Sequence, residues 1–182
     1  MGNKKAREVV KQRERDLEWE RAWTTPRAIT TNIHGFGIGE RRLQLIVLPA
    51  FRTGHAWEVR RLDEQWMLYR SEILVQLPLE VQLVGYEQVP MERKTLRSFF
   101  ERLTALSISL EPDLSGRRGC DGTLTQVAVF GSLLSEWRFQ WWDDAPAKWK
   151  ALTDLAAEML AAFLSAESTK GSPGSLQPPP KT

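Results

Sequence analysis

"GTLTQVAVFGSLLSEWRFQWWDDAPAKW", residues 122 to 149, holds four of the chain's eight tryptophans and decides the architecture. Two runs of strand length, Thr123 to Phe130 and Ser135 to Trp142, are joined by a short connection around Gly131 to Leu134. Successive side chains of a strand take opposite faces, so Trp137, Phe139 and Trp141 share one face while Glu136, Arg138, Gln140 and Trp142 share the other. Three large aromatics on one side predict a buried face. Asp143 or Asp144 is then expected to cap a helix with Pro146 in its first turn, where a missing amide donor leaves nothing unsatisfied. In that helix Trp149, Leu152, Ala156, Met159 and Phe163 form one stripe, widened by Leu155 and Leu160, which predicts packing across the aromatic sheet face.

Working outward, "RLQLIVLPAF" (42–51) is an apolar run of strand length, and "HAWEVRRLDEQWMLYRSEI" (55–73) reads as two strands joined by a turn at Asp63, Glu64 and Gln65. "LEVQLVGY" (79–86) alternates again. After Pro90 the period changes: Leu96, Phe99, Phe100, Leu103 and Leu106 fall on one side of a helix, with Glu92, Arg93, Lys94, Arg97, Glu101 and Arg102 on the other. "ALSISL" (105–110) is expected to return to the sheet, and "EPDLSGRRGCDG" (111–122) is loop. Residues 1–23 read as a charged helix whose only apolar seam is Val9, Val10, Leu17 and Trp19. Glycines at 35, 37 and 39 precede a strand rather than a helix, which is the wrong context for a phosphate loop. Residues 167–182 have no apolar periodicity and are expected to be disordered. The expected organisation is one α+β domain over 24–166. It has a mostly antiparallel sheet of about five to seven strands, a middle helix, and a long C-terminal helix packed on one face.

The 182 residues suffice for a single continuous core, and 25 basic against 23 acidic residues give a formal charge of +2 that by itself selects no partner. A lone cysteine, Cys120, excludes an internal disulfide and a zinc site built on paired cysteines. His34 and His55 lack ligand spacing, so no metal or cofactor is expected. The charged N-terminus has no signal-peptide core and no run approaches the ~18 apolar residues of a membrane span, so a cytoplasmic protein is expected.

No residue pattern specifies an enzyme. Cys120 has no histidine beside it in sequence. Asp113, Asp121, Asp143 and Asp144 sit where turns and caps use aspartate and lack the spacing of a metal loop. Ser71 with Glu72, and Ser135 with Glu136, lack a nucleophile elbow.

The run 119–160, with "WEVRRLDEQWMLYRSEI" and "LVGYE" before it, resembles a group of stand-alone bacterial α+β proteins without an assigned activity. They share a DGT step, a strand, a short turn, an arginine-aromatic strand ending in tryptophan, then proline, tryptophan and a closing helix. The likeness covers about residues 55–165 and implies fold and bacterial origin but no catalytic residues. The function expected is non-enzymatic protein binding, of the kind an immunity or accessory factor performs. Its contact row would be Trp142, Arg138, Glu136 and Gln140, because an exposed tryptophan beside an arginine is the usual anchor of an interface. Glu58, Arg60 or Arg61, Arg70 and Glu72 of the first hairpin read as a further charged outer row. A weak nucleic-acid binder is the alternative, using Lys4, Lys5, Arg7 and Lys11 together with Arg93, Lys94, Arg97 and Arg102. An enzyme of unknown class is the third.

Overall fold

The computed structural model describes residues 8, 11–14, 39–50, 52–76, 80–109, 122–131 and 135–170. Most of the expected N-terminal helix lies outside these residues, as do His34, Cys120, Asp113, Asp121 and the tail from 171; residues 8 and 11–14 are helical.

Six strands, β1 (Glu40–Pro49), β2 (Gly54–Leu62), β3 (Gln65–Gln76), β4 (Glu80–Val89), β5 (Thr123–Phe130) and β6 (Glu136–Trp142), form one antiparallel sheet. Their order is β4-β3-β2-β1-β5-β6. Two helices complete the fold: α1 (Arg93–Thr104) after the four-strand meander, and α2 (Lys150–Lys170) at the end. The α+β class, the antiparallel sheet, the middle helix and the long C-terminal helix are as the sequence predicts.

Local chemistry explains the connections. The β2–β3 turn is two residues long, with Leu62 opposite Gln65 and Asp63 at φ 53°, a conformation that tight hairpins need and aspartate tolerates. Gly39 opens β1 at φ 78°, where a Cβ would sit 2.5 Å from the Arg61 carbonyl oxygen. Backbone crowding and the positive φ together call for glycine there.

Both helices lie on one face. Leu96, Phe99 and Leu103 of α1 and Leu152, Leu155, Ala156, Met159 and Phe163 of α2 close over Leu43, Leu45, Trp57, Val59, Leu68, Val127 and Phe139. Phe163 touches Trp57 and meets Phe99 edge-on, with centroids 6.2 and 5.9 Å apart. The 3₁₀ turn Ala147–Trp149 lays Trp149 edge-on against Phe139 and Trp141. Each fully buried side chain of this size contributes about 1.5–3 kcal/mol in removed apolar surface, so this layer carries the fold.

Four expectations are corrected. Trp137 does not join the buried aromatics: it is 57% exposed, near the start of β6 on the sheet edge, while Trp149 packs on Phe139 and Trp141 further along the strand. The closing helix starts differently: Pro146 precedes its 3₁₀ turn with no side-chain cap, and Asp143 instead extends the β5–β6 ladder. Its Oδ1 accepts the Thr123 N–H at 2.6 Å and its own N–H reaches the Thr123 oxygen at 2.9 Å. Residues 106–109 form no strand, although Leu106 and Ile108 still pack on the core; their alternation meets the apolar layer without a neighbouring strand. Finally α2 runs to Lys170, past the expected end at Ala166, and its last turn is held to the sheet through Glu167.

Candidate contact surface

The other face of the sheet is also closed to solvent in its middle strands. A small apolar cluster of Ile46, Leu48, Ala56 and Ile73 lies there with Leu124, and neither helix contributes to it. Beside it runs a polar row. Glu58, 2% exposed, accepts Gln44 Nε2 at 3.0 Å and both Nε and Nη2 of Arg60 at 2.9 and 2.7 Å. Arg60 Nη1 donates to the Gly39 oxygen at 3.0 Å. The irregular register between Arg41 and Leu43 brings Arg41 opposite Arg60. Its Nη1 lies 3.5 Å from Glu58, and its guanidinium 3.9 Å above the Phe130 ring, a cation–π contact. Gln126 reaches Gln44 at 3.4 Å, carrying the row into β5. Tyr69 and Tyr86 stack at 4.6 Å, and burial pushes the Tyr86 phenol above its ordinary value, against the weaker opposing pull of Arg60. With Gln44, Arg60 and Arg41 around its carboxylate, Glu58 ties β1 and β2 together on this face.

This corrects the reading of Glu58, Arg60, Arg70 and Glu72 as one outer row. Trp57 lies opposite Arg70, and Glu58 opposite Tyr69, so the two charged pairs point to opposite faces. Arg70 sits on the helix side, 2.9 Å from His55 Nδ1, with Glu72 at 3.5 Å and Glu87 at 3.7 Å. Its Nε is 3.3 Å from Glu167, close enough for an ion pair but not aligned as a hydrogen bond. Glu167 also accepts the Trp57 indole N–H at 2.6 Å. Burial first, and Arg70 second, lower the His55 pKa from its ordinary 6.5, while Glu167 and Glu72 oppose this. An arginine donating to Nδ1 fixes the neutral ring with its proton on Nε2. The cluster fastens the end of α2 to the sheet. Among the described residues, no group of three histidine, cysteine, aspartate or glutamate side chains could hold a metal ion.

On β6, Glu136 is exposed, while Arg138, Gln140 and Trp142 are half-buried on the face away from the helices. Arg138 and Glu136 are ion-paired. The Trp142 indole nitrogen crowds Gly122, where a Cβ would lie 2.5 Å from it. The tryptophan that meets solvent is Trp137, on the opposite face. Its signal in the sequence was its position: first in the aromatic run and flanked by charges.

The backbone of β6 adds to this. Gly131 N–H donates to Ser135 O at 2.8 Å, and Asp143 N–H to Thr123 O at 2.9 Å. These fix the phase of the ladder: Trp137, Phe139 and Trp141 exchange hydrogen bonds with β5, and Glu136, Arg138 and Gln140 turn N–H and C=O outward. Among the described residues β6 is an edge of the sheet.

Of the residues considered for nucleic acid, Lys4, Lys5 and Arg7 lie outside the described residues and Lys11 is exposed on helical backbone. On α1 the three arginines are engaged, Arg93 with Glu64 at 3.2 Å, Arg97 with Glu101 at 2.7 Å, and Arg102 with both oxygens of Glu158 at 2.6 Å, while Lys94 is exposed. Paired charges of this kind present a weak field to a phosphate backbone. No described helix is long and apolar enough to cross a membrane.

Compared with known families, curated proteins and solved structures, the chain matches none.

Proposed function

We propose that this chain is a non-enzymatic bacterial protein-binding domain, an accessory or immunity-type factor, with β6 as its contact strand. The observation that carries this is Trp137: the most exposed large apolar side chain of the described residues sits on an edge strand with outward-facing amides. An exposed tryptophan supplies anchoring area, and an open strand edge supplies directional hydrogen bonds; together they are the ingredients of strand-addition recognition. Glu136 and Arg138 on either side add polar contacts at the rim. Trp142, half-buried against Gly122, has a smaller part than the sequence assigned to it.

Affinity purification of the tagged protein from its native cells tests the reading, with nuclease-treated and untreated halves compared. A stoichiometric protein, either another chain or an untagged copy, is expected to survive nuclease and high salt. Trp137→Ala is expected to lower its recovery by about tenfold or more, and Trp142→Ala by much less. Recovery unchanged by Trp137→Ala, or a partner that vanishes with nuclease, contradicts it.

A further inference from the structure

We propose that the occupant of the β6 edge is a second copy of this chain, paired antiparallel about a two-fold axis through Trp137. The inference rests on β6 being the contact strand and names what it contacts.

A two-fold axis normal to the sheet keeps every side chain on its own face, so residues that oppose each other across the axis are both odd or both even. The charge pattern then selects the centre. An axis at Glu136 or at Arg138 sets like charges directly opposite, which is unfavourable. An axis at Phe139 or Gln140 leaves Arg138 facing a neutral side chain. An axis at Trp137 sets Glu136 against Arg138 of the second copy, and Arg138 against its Glu136. Each chain already holds Glu136 and Arg138 together. In the pair the four charges alternate in sign and none loses a partner.

The backbone permits the same centre. Glu136 and Arg138 present their N–H and C=O groups to the free edge, so they form the hydrogen-bonded pairs of the new ladder. Trp137 meets Trp137 of the second copy at a non-hydrogen-bonded position, where opposing side chains come closest. That arrangement covers an indole that is 57% exposed in the single chain and makes a cross-strand aromatic pair. Two six-stranded sheets would continue as one, and each would lose an open edge.

Sedimentation equilibrium of the full chain over rising concentration tests this, with far-ultraviolet dichroism confirming that each variant folds. The wild type is expected to pass from monomer to dimer. Glu136→Arg alone and Arg138→Glu alone should each raise the dissociation constant by about tenfold or more, since each turns two opposite-charge contacts into like-charge ones. Mixing the two single variants should restore a dimer, now of unlike chains, because two cations then face two anions. The double variant Glu136→Arg with Arg138→Glu should restore it as well. A wild type that stays monomeric throughout, or single variants that mixing does not rescue, overturns the proposal. If such a monomer still retains a cellular protein through Trp137, the second copy alone is refuted; if it retains none, the contact-strand reading falls too.

Discussion

Glu58→Ala is expected to destabilise the protein by about 3–5 kcal/mol, one of the two largest effects in the molecule. The carboxylate is 2% exposed and accepts hydrogen bonds from Gln44 and Arg60, with Arg41 beside it. Removing it leaves Arg60, 7% exposed, as a buried cation that has lost its counter-charge. The cost is that of the stranded arginine more than of the lost pair. A double replacement by apolar residues of similar volume, Glu58→Leu with Arg60→Met, should therefore recover much of the loss. Chemical denaturation of the two variants measures this. A loss under about 1 kcal/mol for Glu58→Ala would mean that water reaches the guanidinium.

Phe163→Ala is the second, also at about 3–5 kcal/mol. The ring is fully buried and joins the two helices and the sheet at one point, against Trp57 of β2 and Phe99 of α1. Neither neighbour can move into the space: Trp57 is tied to Glu167 by its indole N–H, and Phe99 is held by α1. The cavity therefore persists, and its lining loses dispersion contacts along with the transferred area. The same denaturation measurement applies, and a loss well below ~2 kcal/mol would show that the helix layer collapses around the site.

The strands and helices were legible because each carries one clear period. "TLTQVAVF", "HAWEVRRL" and the stripe from Leu152 to Phe163 state their own geometry. What the sequence hid was the state of the second face. Glu58 and Arg60 alternate with Trp57 and Val59, and alternation alone makes them solvent-facing; they are buried because that face is closed as well. No local pattern signals this. Trp137 failed in the opposite sense. Its parity put it with Phe139 and Trp141, but parity says nothing of where along the strand the covering layer stops. "ALSISL" shows a third limit: alternation records which side is apolar, and Leu106 and Ile108 satisfy it against the core without a ladder.

The candidate site divides in the same way. That the last hairpin ends in an arginine-aromatic strand was readable from "EWRFQWW". Which tryptophan faces outward was not, and neither was the strand's place at the sheet edge, because strand order is set by pairings across distant parts of the chain.

Amide hydrogen exchange along β6 in dilute, monomeric protein tests the central claim most directly, since an open contact edge must show itself in the backbone. The ladder predicts alternation: slow exchange at Trp137, Phe139 and Trp141, fast exchange at Glu136, Arg138 and Gln140, and protection of the second set once the partner is bound. Even-numbered amides as slow as the odd ones in the free chain, and unchanged on binding, would mean that the edge is already covered and that β6 is not the contact strand.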